Sequence, residues 1–406
     1  MKKSFTVLIL IATILQINGQ VEVTTITPPF KGSGGLSLDT VGNLYIADFG
    51  DFLGIGDGDG QPNVISKLDQ DLIITEYATD FVGASGNDFD SNGVLYQSDI
   101  GVSTIYKIIN GNRVFFSNSG ISNPVGLVFD SNDNIYVCNC GNNTIRKITP
   151  SGVSTLFSSG TLYSCPNGIT VDENDNLYVS NFSNGNIIKI TTNGTPTLLN
   201  VTPGGSNGGP GNGHLDYHAG LRTLFIASMA TSTIFYLNID NTSDLEILAG
   251  TGVRGNNDGL ASEATFSRPN GVAVTQSGDS IYINSAVPIT DVPNVPLNPS
   301  LIRLITGVNE LLSNTDFDTK EYQVKTYPNP VKNQFSIKAS LYKDYNDLHI
   351  KLFDIQGKLI KEINTISTEN QYLKVQLDIS NFASGSYIYA VYNSQNQLFN
   401  AIIIKE

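Results

Sequence analysis

The stretch Pro166 to Ile190, PNGITVDENDNLYVSNFSNGNIIKI, constrains the fold more than any other part of this chain, because versions of it recur. Ile169 and Val171 alternate with small or polar residues up to Asp172, and a Glu-Asn-Asp-Asn turn follows. A second alternation, Leu177 and Val179, ends at Asn181, and a Gly-Asn turn leads into Ile187 to Ile190. Period-two patterning broken by turn residues predicts short antiparallel strands. A sheet this small has two faces to cover, so copies have to stack on one another.

Aligned on the opening Gly and the later apolar-aromatic pair, six copies appear. They open at Gly35, Gly86, Gly126, Gly168, His214 and Gly271, 40 to 57 residues apart. Copy five is degenerate, with His214 in the glycine position. Third strands follow as IYKI at 105–108, IRKI at 145–148, IIKI at 187–190 and IFYL at 234–237, and several copies carry a fourth. Four strands per copy at this period predict an all-β chain built on a six-bladed β-propeller. Two segments compete to supply the outer strand that closes blade six: Val21 to Thr27 and Val308 to Leu312.

The ends of the chain read differently. Lys2 and Lys3, an apolar run from Val7 to Ile17 and then Asn-Gly-Gln form a signal-peptide layout, so residues 1–19 are expected to be removed on export. No other segment approaches the length of a spanning helix, so the mature chain is expected to have no membrane span. With 37 acidic against 23 basic residues and a net charge of -14, the chain disfavours nucleic acid as a partner. Of the three cysteines, Cys138, Cys140 and Cys165, export permits a pair; free buried thiols and a metal site remain open. If two are paired, Cys140 and Cys165 are preferred, since their loops leave neighbouring blades on one face; Cys138 would then stay buried.

PNGITVDENDNLYVSN with its I-x-K-I strand resembles the NHL repeat, as does GTGVRGNNDGLASEATFSRPNGVAV at 250–274. NHL propellers serve mainly as binding platforms, and relatives of the fold include lactonases and lyases. Further on, YPNP at 327–330, LFDIQGK at 352–358, LDIS to GSYIY at 377–389 and the terminal IIIKE resemble, in order, the type A sorting domain of the type IX secretion system of Bacteroidetes. That resemblance implies a small antiparallel β-sandwich, recognised by the secretion machinery, and delivery to the surface or medium. The expected organisation is a signal peptide over 1–19, a propeller over 20–312, a linker over 313–324 and a sorting domain over 325–406.

Alternation also says which side chains face the channel. In each inner strand the opening residue and the residue two after it point to the axis, about 6.6 Å apart on one face. The lining is then Gly35/Ser37, Gly86/Asp88, Gly126/Val128, Gly168/Thr170, His214/Asp216 and Gly271/Ala273. His214, Asp216 and Asp88 are the candidates for cation binding or general-base chemistry; the plainer reading is that they plug a narrow wet channel. The polar residues closing the second strands, among them Asp48, Asp99, Asn139 and Asn181, most simply cap turns. Asn167 and Asn270 precede the opening Gly; in gluconolactonase-like propellers a comparable Pro-Asn-Gly holds a metal, but copy one, KGSGGLSLD, lacks the early Glu of that family. Asp51, Asp57 and Asp59 in GDFLGIGDGDGQ suit calcium, the one cofactor the sequence suggests, or form a mobile acidic loop.

Two functions follow. The first is an exported binding platform for a protein, peptide or glycan, shaped by the loops 50–61, 203–213 and 288–299. The second is a metal-dependent hydrolase or lyase using His214, Asp216 and Asp88, with Asn167 or Asn270 assisting.

Overall fold

The computed structural model describes residues 20–50, 62–204, 211–287, 297–313, 323–341, 345–354, 358–368, 372–393 and 396–406. The chain divides into two compact units, Met1–Ser313 and Asn314–Glu406.

In the first unit, five antiparallel sheets of four strands and a sixth of five follow one another along the chain. Their inner strands (Leu36–Leu38, Ala84–Phe89, Pro124–Phe129, Pro166–Val171, Asn212–His218 and Val272–Val274) each contact the next, and the last contacts the first. The result is a closed six-bladed propeller. Hydrophobic clusters form between blades: Tyr178 and Ile187 of blade four pack with Leu215, Leu224 and Ile226 of blade five. A lone copy would leave those faces in water, which is why the ring must close.

Closure uses the N-terminal segment. Glu22–Thr25 pairs antiparallel with Ser300–Thr306, Val23 opposite Ile305, as the fourth strand of blade six, and the two-residue strand Gly259–Leu260 pairs on its far side. The competing segment leaves the sheet: Gly307 takes a φ of 78°, in the region that favours glycine, and Val308–Ser313 coils into a short helix.

The recurring residues have a common structural use. In blade four, Asp172 Oδ1 accepts from the Asn174 and Asn176 amides, and the Tyr178 hydroxyl donates to Oδ2. Asp39 and Asp130 do the same for Tyr45 and Tyr136. The lysine of I-x-K-I stands over that tyrosine ring, Lys189 at 5.5 Å from Tyr178 and Lys147 at 5.1 Å from Tyr136. The motif is therefore a capped turn with a cation on its aromatic.

The second unit is a β-sandwich of a three-stranded and a four-stranded sheet over a core that includes Phe335, Ile337, Ile350, Leu352 and Tyr389. Its first strand, Gln323–Tyr327, begins two residues before the expected boundary. The YPNP segment is tied to the C-terminal strand: Asn329 Nδ2 donates to the Ile402 carbonyl at 3.0 Å, and the Ile404 amide donates to Asn329 Oδ1 at 2.9 Å. Two sequence motifs far apart in the chain thus form one contact. Residues 1–19, with the expected signal peptide, lie outside the described residues, and no helix among the described residues is long and apolar enough to cross a membrane.

Candidate functional site

The inner strands run from the face carrying the connecting loops to the face carrying the first hairpin turns, so position along them is depth in the channel. His214 lies midway. Its blade holds the same register as blade four: Leu215 opposes Ile226 and Asp216 opposes Phe225, as Ile169 opposes Val179 and Thr170 opposes Tyr178. The imidazole therefore projects from the position that is glycine elsewhere, and a Cβ built on Gly35 would lie 3.1 Å from His214 Cε1. A Cβ on Gly168 would lie 2.6 Å from the His214 Cα, so the approach of blades four and five requires glycine there.

His214 separates two cavities. Towards the turn face lies one of about 190 Å3, lined by Ser37, Asp88, Val128, Thr170, Asp216 and Ala273, with Asn87 and apolar neighbours such as Leu127 and Val272 completing the wall. Each aspartate ties its inner strand to the next blade. Asp88 accepts from the Phe89 amide at 2.8 Å and from the Phe129 amide of blade three at 3.2 Å. Asp216 accepts from the Tyr217 amide at 2.8 Å, the Val274 amide of blade six at 2.9 Å and the Thr170 hydroxyl at 3.2 Å. Burial raises the Asp88 pKa to about 7 against the pull of its two amides, and the charge of Asp216 adds to the rise. Burial likewise raises Asp216 to about 6. It lowers His214 to about 4, so the imidazole is neutral at neutral pH.

Towards the loop face lies a smaller cavity of about 50 Å3, lined by Phe49, Ile100, Phe182, Met229, the two cysteines Cys140 and Cys165, Asn167 and Asn270. Cys140 and Cys165 form a disulfide, and Cys138 is free and buried. Cys138 Sγ contacts the Gly168 carbonyl at 3.7 Å, the cross-blade contact that Ser180 Oγ makes to the Gly213 carbonyl at 2.7 Å.

The residues proposed for hydrolysis do not converge. His214, Asp216 and Asp88 share the turn-face cavity, while Asn167 and Asn270 belong to the opposite mouth and hold neighbouring blades. Asn167 Nδ2 donates to the Asn212 carbonyl at 2.9 Å, and Asn270 Nδ2 to the Ser33 carbonyl at 2.6 Å. The second-strand polar residues are turned into their loops. Asp48 accepts from the Gly50 amide at 3.0 Å and Asn298 Nδ2 at 2.7 Å; Asp99 accepts from the Val82, Gly83 and Gly101 amides. Asn139 donates to the Gly120 carbonyl and Asn181 to the Leu162 carbonyl. Among the described residues no three His, Cys, Asp or Glu side chains come together to hold a metal. Asp51, Asp57 and Asp59 lie outside the described residues.

Sequence reasoning missed the apolar mouth. Each polar residue ending a second strand is followed by a residue with an apolar or sulfur-bearing side chain: Phe49, Ile100, Cys140, Phe182, Met229 and Ala286. That signal was present in the repeat alignment. It also missed Asn87, which stands where other copies place an apolar residue between blades; its amide is buried with neither polar atom hydrogen-bonded.

Residues 325–405 match the secretion system C-terminal sorting domain, and residues 122–148, within copy three, match the NHL repeat. The sorting domain assigns the chain to type IX secretion, with delivery to the cell surface or the medium. Solved structures share the propeller. An auxiliary nutrient binding protein from Bacteroides ovatus is 16% identical, with 71% of this chain and 77% of that one covered at a TM-score of 0.53. A protein of unknown function from Bacteroides thetaiotaomicron is 14% identical, with 70% and 76% covered at 0.54. A gluconolactonase from Xanthomonas campestris is 12% identical, with 72% and 93% covered at 0.51. At these identities the likeness speaks to fold alone. No curated protein sequence matches the chain.

Proposed function

We propose that this exported propeller is a binding platform that engages a peptide or protein segment at the loop-face mouth of its channel. One observation carries the reading: Phe49, Ile100, Phe182 and Met229, from four different blades, converge on that mouth, while the polar residues beside them are occupied in holding loops. At about 50 Å3 this mostly apolar concavity suits one inserted side chain within a wider contact, and aromatic anchors supply much of the energy of such contacts. Export to the surface or medium places the ligand outside the cell.

The test is a screen of the purified full chain against a peptide library and an array of glycans. Peptide binders are expected, weakened about tenfold or more by Phe182→Ala, as for an interface anchor. Binders confined to glycans, or indifferent to both Phe182→Ala and Met229→Ala, would contradict the reading.

A further inference from the structure

The turn-face cavity is distinct from the loop-face mouth, with His214 bordering both. Asp88 and Asp216 stand on blades two and five, across the ring from each other, in one cavity of about 190 Å3. Among the described residues, the basic side chain that acts on Asp216 is His218, and no lysine or arginine bears on either carboxylate. The His214 ring forms one wall of the cavity, is 8% exposed, and makes no side-chain hydrogen bond among the described residues. A neutral imidazole without a protein partner presents an acceptor to the cavity.

The donors already in place narrow the ligand. Four backbone amides, those of Phe89, Phe129, Tyr217 and Val274, and the Thr170 hydroxyl hold the two carboxylates in position. Those five bonds leave the carboxylates few free lone pairs, so calcium, which takes about six to eight oxygens, would have to draw most of its shell from water. A primary ammonium group has three N–H donors, and Asp88, Asp216 and His214 all line this cavity, so an ammonium seated there meets acceptors directly or through water. Leu38, Val128 and Val274 line the same space with hydrocarbon. A cavity of about 150 Å3 holds a benzene-sized guest, so this one has room for a short alkyl chain.

We propose that the turn-face end of the channel binds a primary alkylammonium group. Asp88 and Asp216 supply the countercharge, His214 a neutral acceptor in the cavity wall, and the aliphatic wall the contact for the methylenes. A free small amine and a lysine side chain share this chemistry.

Calorimetric titration of the full chain tests it, with n-butylammonium chloride as the free amine and a capped lysine peptide as the other source. Saturable one-to-one binding is expected for n-butylammonium, for the peptide, or for both; the tighter of the two identifies the source. Asp216→Asn should weaken binding about tenfold or more, the effect of losing one charge-assisted bond. Because Asp216 also joins two blades, two controls do not depend on that variant. Tetramethylammonium, which has no N–H donor, should not compete, and His214→Gln should retain more affinity than His214→Leu. Absence of saturable binding by either amine, equal competition by tetramethylammonium, or displacement by calcium would overturn the proposal.

Discussion

Blades four and five occupy neighbouring places in one ring and use opposite chemistry. Blade four has Gly168 and Thr170 facing the axis, Asp172 capping its turn and Lys189 over Tyr178. Blade five has His214 and Asp216 at the axis, His218 in place of the turn aspartate, and Tyr236 opposite Phe225 where blade four sets lysine opposite tyrosine. The axis and turn residues of blade four are satisfied within the fold, though Asn181 Oδ1, at the end of its second strand, is buried without a partner. In blade five the imidazole is not, and that contrast separates residues that build the ring from those left for a ligand.

The largest effect should come from the glycine that sets the two blades' spacing. Gly168→Val would press on the His214 backbone and is expected to cost about 3 kcal/mol or more, read as a lower urea midpoint; His214→Gly, the reverse exchange on the other side, should leave the propeller folded. Equal tolerance of both would break the comparison. Next comes the turn cap. Asp172→Ala strands two amides, a side-chain amide and a hydroxyl, at a cost of about 2 kcal/mol, whereas His218→Ala in blade five should cost about half as much by the same denaturation assay.

The pH dependence follows from the channel. Asp88 and Asp216 bind protons more tightly folded than unfolded, so the stability they contribute is fully present below the ordinary carboxylate pKa of 3.8 and is lost as pH rises through about 6 to 7. His214 acts in the other direction: its contribution is present above 6.5 and lost as pH falls towards about 4. Asp88→Asn with Asp216→Asn should flatten the decline between about pH 4 and 7, measured by thermal melting across that range; an unchanged slope would mean the carboxylates are solvated like surface groups. The smallest effect is expected from Lys189→Met, about 0.5–1 kcal/mol for one cation–π contact.

The repeat made the blades legible, because a period-two pattern with Asp-Asn turns specifies strand, turn and facing side chains together. It could not choose the closing strand. Val21–Thr27 and Val308–Leu312 carry similar apolar content, and the left-handed turn at Gly307 that removes the second from the sheet is a tertiary outcome. Alternation correctly placed His214 and Asp216 on the channel face, since register follows from period. It set Asn167 and Asn270 beside the second-strand ends but could not tell that this mouth is a separate cavity from the one holding Asp88 and Asp216, because a side chain's depth depends on how far each strand has run before it reaches the axis. The parallel use of Asp88 and Asp216, each bonded to the amide three residues past the next blade's opening position, joins residues 41 and 58 apart and appears only once the ring is assembled.

The central claim is that the repeated residues build the ring and that recognition at the turn-face end of the channel lies where blade five departs from them. The most direct measurement is n-butylammonium calorimetry on a chain whose blade five carries blade four's axis residues, His214→Gly with Asp216→Thr. A folded variant whose saturable heat has disappeared is the predicted result. A folded variant that binds n-butylammonium as tightly as the unaltered chain would contradict it.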